Sequence, residues 1–246
     1  MKIEEQFKYS QLGDSYWWLA GKYLLITKLL KKVLDKQYKK GRKSLKILDI
    51  GCGPGNLSNN LSNIGEVFGI DVSLPTLKLC QKKYSNLING KADELPIREG
   101  SFDIVILLDV LEHIADDAKV MKETFRILKP GGIVLITAPA CKILWGSHDE
   151  IYQHYRRYSL DEIKKVVRRA GFTIKKLIAF EAIFFIPLLL FRKIKNVLNY
   201  SKRDDFIKIP NWLNSILTVI VLLEGRISYN INNPLGVSII CIAKKE

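Results

Sequence analysis

At 246 residues, 48% hydrophobic and 26% charged, the chain has the length and balance of a globular protein with a full core, which excludes a disordered tail. Its four cysteines, Cys52, Cys80, Cys141 and Cys241, show no CxxC spacing and no disulfide framework, and MKIEEQFKYS lacks the apolar core of a secretory leader, so a reducing cytoplasm is the expected setting. The formal charge of +14 raises nucleic acid or an anionic surface as a partner, and the clusters at 22–46, 164–176 and 192–208 also read as solvated helix faces.

In chain order, Leu25, Leu29, Leu30, Val33 and Leu34 recur at helical spacing among lysines, which predicts an amphipathic helix over 21–40. From residue 45, short β-rich runs alternate with amphipathic segments. Strands are expected near 45–50, 67–71, 86–90, 103–108, 132–138 and 172–179, with helices near 55–62, 74–83, 117–128 and 160–170. Lys129-Pro-Gly-Gly132 punctuates the fifth strand, and Ser159 with Glu162 forms a capping box for a helix closed by Gly171. The run GVSIICIAKK at 236–245 suits a final edge strand. This alternation predicts an α/β, Rossmann-like, doubly wound seven-stranded sheet with helices on both faces, an antiparallel edge strand at the C-terminus and a helical insertion before it.

The stretch LDIGCGPGN, Leu48 to Asn56, falls where the first strand turns into its helix, the place where such sheets bind ligands. Its glycines, Gly51, Gly53 and Gly55, give G-x-G-x-G with Asp49 just ahead, not the G-x-G-x-x-G of dinucleotide binders. The next strand ends in FGIDVS, which places Asp71 to accept hydrogen bonds from two ribose hydroxyls. Asp93 follows the third strand, and FDIVILLDVLEHI leads the fourth into an acidic turn.

In this combination and order the chain resembles the class I S-adenosylmethionine-dependent methyltransferases over roughly 45–180 and again at 236–245. The resemblance implies that Gly51 to Gly55, with Cys52 and Asp49, wrap the methionine part. It further implies that Asp71 and Val72 meet the ribose, Asp93 receives the adenine amino group, Glu94 and Leu95 line the adenine pocket, and Leu108 and Asp109 complete the site. The product would be S-adenosylhomocysteine. FRILKPGGIVLITAPA at 125–140 resembles the helix, turn and fifth strand of that family.

Methyl transfer from an activated sulfonium needs an aligned nucleophile and sometimes a base. The chain has three histidines, His113, His148 and His154, all in segments expected on the ligand-binding edge, and all three are catalytic candidates. Asp109, Glu112 and His113 are spaced i, i+3, i+4, and resemble the ExxEH segment of ubiquinone-pathway O-methyltransferases, where a divalent metal is implied. Asp109 stands in place of the first Glu, so a structural turn is the favoured reading, no metal is expected, and Mg2+ at these three residues is the alternative. The segment His148 to Tyr158 resembles an HD…HxRRY element of one branch of these enzymes. There Arg156, Arg157 and Tyr158 are substrate-binding candidates for a phosphate- or carboxylate-bearing acceptor, with Trp17 over the pocket. Arg157 paired with Asp149 or Glu150 is the competing structural reading.

Between Leu177 and Phe191, and again from Trp212 to Leu223, the sequence is strongly apolar, but runs of about fifteen residues reach only about 22 Å as helices, short of a bilayer core. The expected organisation is an N-terminal helical cover at 1–44, a cofactor-binding core at 45–180, a hydrophobic and basic insertion at 181–230 acting as a lid or touching an anionic membrane, and a last strand at 231–246. Phe184, Phe185, Leu188, Leu189 and Trp212 would ring an acceptor entrance, with Arg192, Lys193 and Lys195 meeting lipid phosphates. The leading reading is a methyltransferase for a small, lipid or carrier-linked acceptor, with oxygen as the expected target atom, cytoplasmic or peripheral at the inner membrane face. A soluble-metabolite enzyme and a noncatalytic cofactor- or nucleic-acid-binding module are the alternatives. Nucleic acid is disfavoured because LDVL stands after strand four where an Asn/Asp-Pro-Pro-Tyr-like motif would be.

Overall fold

The computed structural model describes residues 16–37, 45–81, 83–84, 86–197 and 209–246. Seven strands form one sheet: β1 (Leu45–Ile50), β2 (Gly65–Asp71), β3 (Asn86–Asn89), β4 (Phe102–Leu108), β5 (Leu128–Pro139), β6 (Thr173–Phe180) and β7 (Ser238–Lys244), in the order β3-β2-β1-β4-β5-β7-β6. The first five strands are parallel and β7 is antiparallel to both its neighbours. The antiparallel C-terminal strand expected from the sequence is present. It lies one place in from the edge, with β6 outside it, which agrees with the burial of every residue from Ser238 to Ala243.

Alternation along the strands divides the core in two, because successive side chains point to opposite faces. Ile47, Ile104, Ile106, Ile133 and Leu135 face α1 (Trp17–Gln37), together with its Leu25, Ile26, Leu29, Leu30 and Leu34. Leu48, Ile50, Val105, Leu107, Val134 and Ile136 face the other way, toward α4 (Asp117–Ile127) and α6 (Leu160–Arg169). In chain order the shorter helices are α2 (Ser58–Leu61) and α3 (Leu74–Cys80), before α4, and α5 (Ser147–Ile151), before α6.

The expected helix at 55–62 is reduced to Ser58–Leu61, because the glycine turn uses the residues ahead of it: the Gly55 N–H donates to the Cys52 carbonyl and the Ser58 N–H to that of Gly55. The capping box at Ser159 forms as expected, with Ser159 Oγ accepting from the Glu162 N–H and Glu162 bonding the Ser159 N–H in return.

The insertion is helical: α7 (Phe185–Val197) and α8 (Asn211–Ile231), while 198–208, with much of the expected basic cluster, lies outside the described residues. Glycine permits α8 to approach α1 closely, since a Cβ on Gly21 would stand 2.7 Å from Val221 and one on Gly225 2.2 Å from Leu25. Tertiary contact thus fixes α8 along the outside of α1. The Glu224 carboxylate, buried on α8, accepts from the Glu181 and Ala182 N–H groups at 2.7 and 3.0 Å and ties the insertion to the end of β6.

Candidate active site

Strand β1 is flanked by β2 on one side and β4 on the other, so the chain reverses there and leaves a crevice at the carboxyl ends. A cavity of about 150 Å³ opens at that point, lined by Asp49, Gly51, Cys52, Gly53, Leu108, Asp109 and Glu112 from the strand ends. Trp18, Leu19, Lys22 and Tyr23 of α1 cover it, and His113, His148, Tyr152, His154 and Arg157 form its far wall.

The glycine turn is a cradle that side chains would fill. Gly51, Gly53 and Gly55 have φ of +68°, +52° and +75°, a region disfavoured for residues with a Cβ. The Gly53 N–H donates to Asp71 Oδ2 at 3.1 Å and the Ser73 N–H to Asp71 Oδ1 at 2.8 Å, so the carboxylate is oriented by backbone and keeps acceptor capacity for a ligand. Asp49 is buried and, among the described residues, accepts from the Tyr84 hydroxyl at 2.6 Å; burial pushes its pKa up to about 7, with the Asp71 charge adding to the rise. Val72, 67% exposed, leaves an apolar surface beside Asp71. Asp93 stands 3.5 Å from Lys119, and Leu95 is buried with its N–H donating to Glu123. Gly55, Asp71, Val72, Asp93, Glu94 and Leu95 are not in the cavity wall; they lie along the turn and strand ends outside it.

The acidic turn does not group as the i, i+3, i+4 spacing predicts. Asp109, in a left-handed conformation at φ +53°, points to Lys22 at 2.6 Å and to Thr137 Oγ1 at 2.9 Å. Burial would raise its pKa, and the Lys22 ammonium outweighs that and lowers it. Asp109 therefore leaves the expected set with Glu112 and His113, and His154 takes its place: donor atoms of Glu112, His113 and His154 all lie within 4.8 Å of one another. Burial lowers the His113 pKa to about 3, with His154 adding to the fall, so this imidazole is neutral.

The HxRRY segment is held by one carboxylate. Asp149, fully buried, accepts from the Gly146 N–H at 3.0 Å, Arg157 Nε at 2.8 Å and Arg192 Nη1 at 3.5 Å, and bonds His154 Nδ1 at 2.9 Å. Arg157 also donates to the Ala140 carbonyl. Arg156 reaches Asp117 and the Ala115 carbonyl, and the buried Tyr158 hydroxyl donates to Asp117 at 2.8 Å. This corrects the expectation of paired arginines aimed at an acceptor anion: of Arg156, Arg157 and Tyr158 only Arg157 lines the cavity, and its guanidinium is engaged by Asp149. Trp17 packs on Phe184 at 5.0 Å, outside the cavity, which Trp18 lines instead. Arg192 is corrected as well. It is buried, donating to the Leu144 carbonyl and Asp149, and does not face a lipid surface. The Lys195 side chain lies outside the described residues.

Sequence reasoning missed Lys22 and Glu181. Lys22 reads as one lysine of a solvated helix face, but it is only 3% exposed, and the Asp109 and Glu181 carboxylates raise its pKa against the opposing effect of burial. Glu181 accepts from Trp18 Nε1 and from Ser238 Oγ at 2.7 Å, which fixes the indole over the cavity. The regular spacing of apolar residues on either side of Lys22 offers a signal, since it puts this lysine on the packed flank of α1.

The strand order and the glycine cradle at β1 define the class I methyltransferase fold. Residues 48–136 match the family described as "Methyltransferase domain". A protein named "Probable S-adenosylmethionine-dependent methyltransferase" from Mycolicibacterium smegmatis is 28% identical over 134 residues, 52% of each chain. The ubiquinone/menaquinone biosynthesis C-methyltransferase UbiE of Pasteurella multocida is 28% identical over 183 residues, 67% of each. The match thus spans about half the length of the first relative and two thirds of the second. A solved SAM-dependent methyltransferase from Thermotoga maritima shares the fold with a TM-score of 0.59 at 16% identity, over 97% of this chain and 95% of that one. Residues 48–136 thus carry a methyltransferase domain, and S-adenosylmethionine is the cofactor that relatives and structural neighbours are named for. The residues present suit S-adenosylmethionine: Asp49, bonded by the Tyr84 hydroxyl, and Asp71, oriented by the Gly53 and Ser73 N–H groups, offer carboxylates to a cationic ligand.

Proposed function

We propose that the chain transfers a methyl group to an oxygen of a hydrophobic, membrane-resident acceptor. One observation carries the reading: a single cavity has the glycine cradle on one wall and three imidazoles on the other. Bound S-adenosylmethionine supplies the activated methyl. The protein's part is to exclude water with Trp18, Leu19 and Tyr23, to hold its charges in pairs such as Lys22 with Asp109, and to accept the acceptor's proton. His148, stacked near Tyr152 at 4.5 Å and Trp18 at 6.4 Å, is the imidazole we assign to that step, because His113 and His154 face each other at 4.6 Å and His154 is bonded to Asp149.

The apolar character of the acceptor rests on the insertion. Trp212, Ile216, Val219, Leu223, Ile227 and Ile231 recur every three or four residues along α8 and are 49 to 66% exposed, and Ile183, Ile186, Leu190 and Ile194 repeat the pattern at α7. Neither helix exposes an acidic side chain, since Glu224 is buried, whereas Lys193 and Arg226 are exposed. No helix among the described residues is long and apolar enough to cross a membrane, so this surface suits a peripheral contact with an anionic leaflet. The Trp17–Phe184 contact and the Trp17 N–H bond to Asn214 Oδ1 join α1, the end of β6 and α8 beside the cavity. The relative named as a quinone C-methyltransferase favours a second reading, transfer to a ring carbon of an apolar acceptor.

The test presents a total lipid extract in anionic vesicles with methyl-labelled S-adenosylmethionine. Label is expected in the organic phase, and the 13C shift of the transferred methyl in NMR separates an O-methyl from a C-methyl product. His148→Ala is expected to slow turnover by about 10² to 10⁴-fold with cofactor binding retained. Label confined to water-soluble metabolites would contradict the hydrophobic acceptor.

A further inference from the structure

We propose that Glu112, His113 and His154 form a binding site for one divalent transition-metal cation, in the wall of the cavity. Glu112 is fully buried and, among the described residues, both its carboxylate oxygens lack a hydrogen-bond partner, as does the buried Nδ1 of His113. A buried carboxyl group left in this state is unfavourable, and a cation bound there would give both oxygens a partner.

The two histidines are already oriented for the role. Asp149 bonds His154 Nδ1 at 2.9 Å, which leaves Nε2 with its lone pair, and the His113 ring is hydrogen-bonded to the Tyr152 backbone, which leaves Nδ1. Metal-bound histidines characteristically give their second nitrogen to a carboxylate or a backbone carbonyl in this way. The Tyr155 N–H donates to the Glu112 carbonyl at 2.7 Å, so backbone pairing brings together segments some forty residues apart in the chain. Bonds of about 2.1 Å place donors on one ion within about 4 Å of each other, so the present spread of up to 4.8 Å needs only small side-chain rotations.

Two imidazoles and one carboxylate favour zinc, iron, cobalt or nickel over magnesium, which prefers oxygen ligands and keeps its waters. Three protein ligands leave coordination positions open toward the cavity, where an acceptor oxygen can bind beside His148. The site rests on these residues and not on the methyl-transfer reading, and its test reads metal alone.

The experiment titrates chelator-treated protein, free of any affinity tag containing histidine, with Co2+ followed by visible absorption and with Zn2+ and Mg2+ by calorimetry. One Co2+ per chain with intensified visible bands, displaced by Zn2+, is expected. Glu112→Gln and His154→Gln should each weaken binding by about a hundredfold or more while S-adenosylmethionine binding reports the intact fold. Absence of stoichiometric Co2+ and Zn2+ binding in the unmodified chain overturns the proposal, as does Mg2+ binding more tightly than Zn2+, or Zn2+ affinity unchanged in both variants.

Discussion

Asp149→Ala is expected to destabilise the protein by about 3 to 5 kcal/mol, because it leaves buried cations without their carboxylate. Arg157 and Arg192 are both buried and both converge on Asp149, and the same carboxylate bonds His154 and caps the start of α5 through the Gly146 N–H. Against a total of about 5 to 15 kcal/mol, that loss is a large fraction. Asp149→Asn keeps the shape and not the charge, so it should recover less than half. Burial opposes the Asp149 charge, and the bonds to His154 and Arg157 outweigh it and hold the pKa below the usual carboxylate range. The stability so gained is fully present above a pH of about 4 and is lost as pH falls toward the lowered folded-state pKa. Urea unfolding at pH 7 measures the effect; a loss below about 1 kcal/mol for the alanine variant would contradict the network as described.

Gly51→Val should abolish cofactor binding and cost about 2 to 5 kcal/mol of stability, the sum of a left-handed backbone that a branched residue resists and of overpacking. Gly51 has φ +68°, and a Cβ there would stand 2.7 Å from Val110 Cγ2, on the turn after β4. The new side chain also fills the cradle. Gly100 supplies the control, since its φ is +62° and nothing lies within 4 Å of an added Cβ. Gly100→Ala should therefore bear only the backbone cost of about 1 to 2 kcal/mol and bind S-adenosylmethionine normally. Equal binding by Gly51→Val and the unchanged chain in calorimetry would place the cofactor elsewhere.

The strands and the cradle were legible because they rest on local signals. Alternation in LKILDI and FDIVILL marks buried strands, three glycines mark a turn, and Ser159 with Glu162 marks a helix start. The rest depends on partners distant in the chain. Lys22 and Asp109 are 87 residues apart, Arg192 and Asp149 are 43 apart, and no periodicity tells a buried ion pair from a solvated lysine or arginine. For that reason the HxRRY arginines read as anion binders, and the spacing of Asp109, Glu112 and His113 suggested one face. The left-handed backbone at Asp109 turns its side chain to Lys22, and the partner of Glu112 and His113 comes from residue 154. The insertion shows both outcomes: its apolar stripes were visible in the sequence, while the burial of Arg192 and Glu224 was not.

The central claim is that the turn at Gly51 to Gly55, with Asp71, holds S-adenosylmethionine, and titration calorimetry of the purified chain with S-adenosylmethionine, S-adenosylhomocysteine and NAD tests it most directly. One site for each of the first two and no heat from NAD are predicted, with Asp71→Ala weakening both by about 1 to 3 kcal/mol through lost charge-assisted hydrogen bonds. Tight binding of NAD with no response to S-adenosylmethionine would contradict the account.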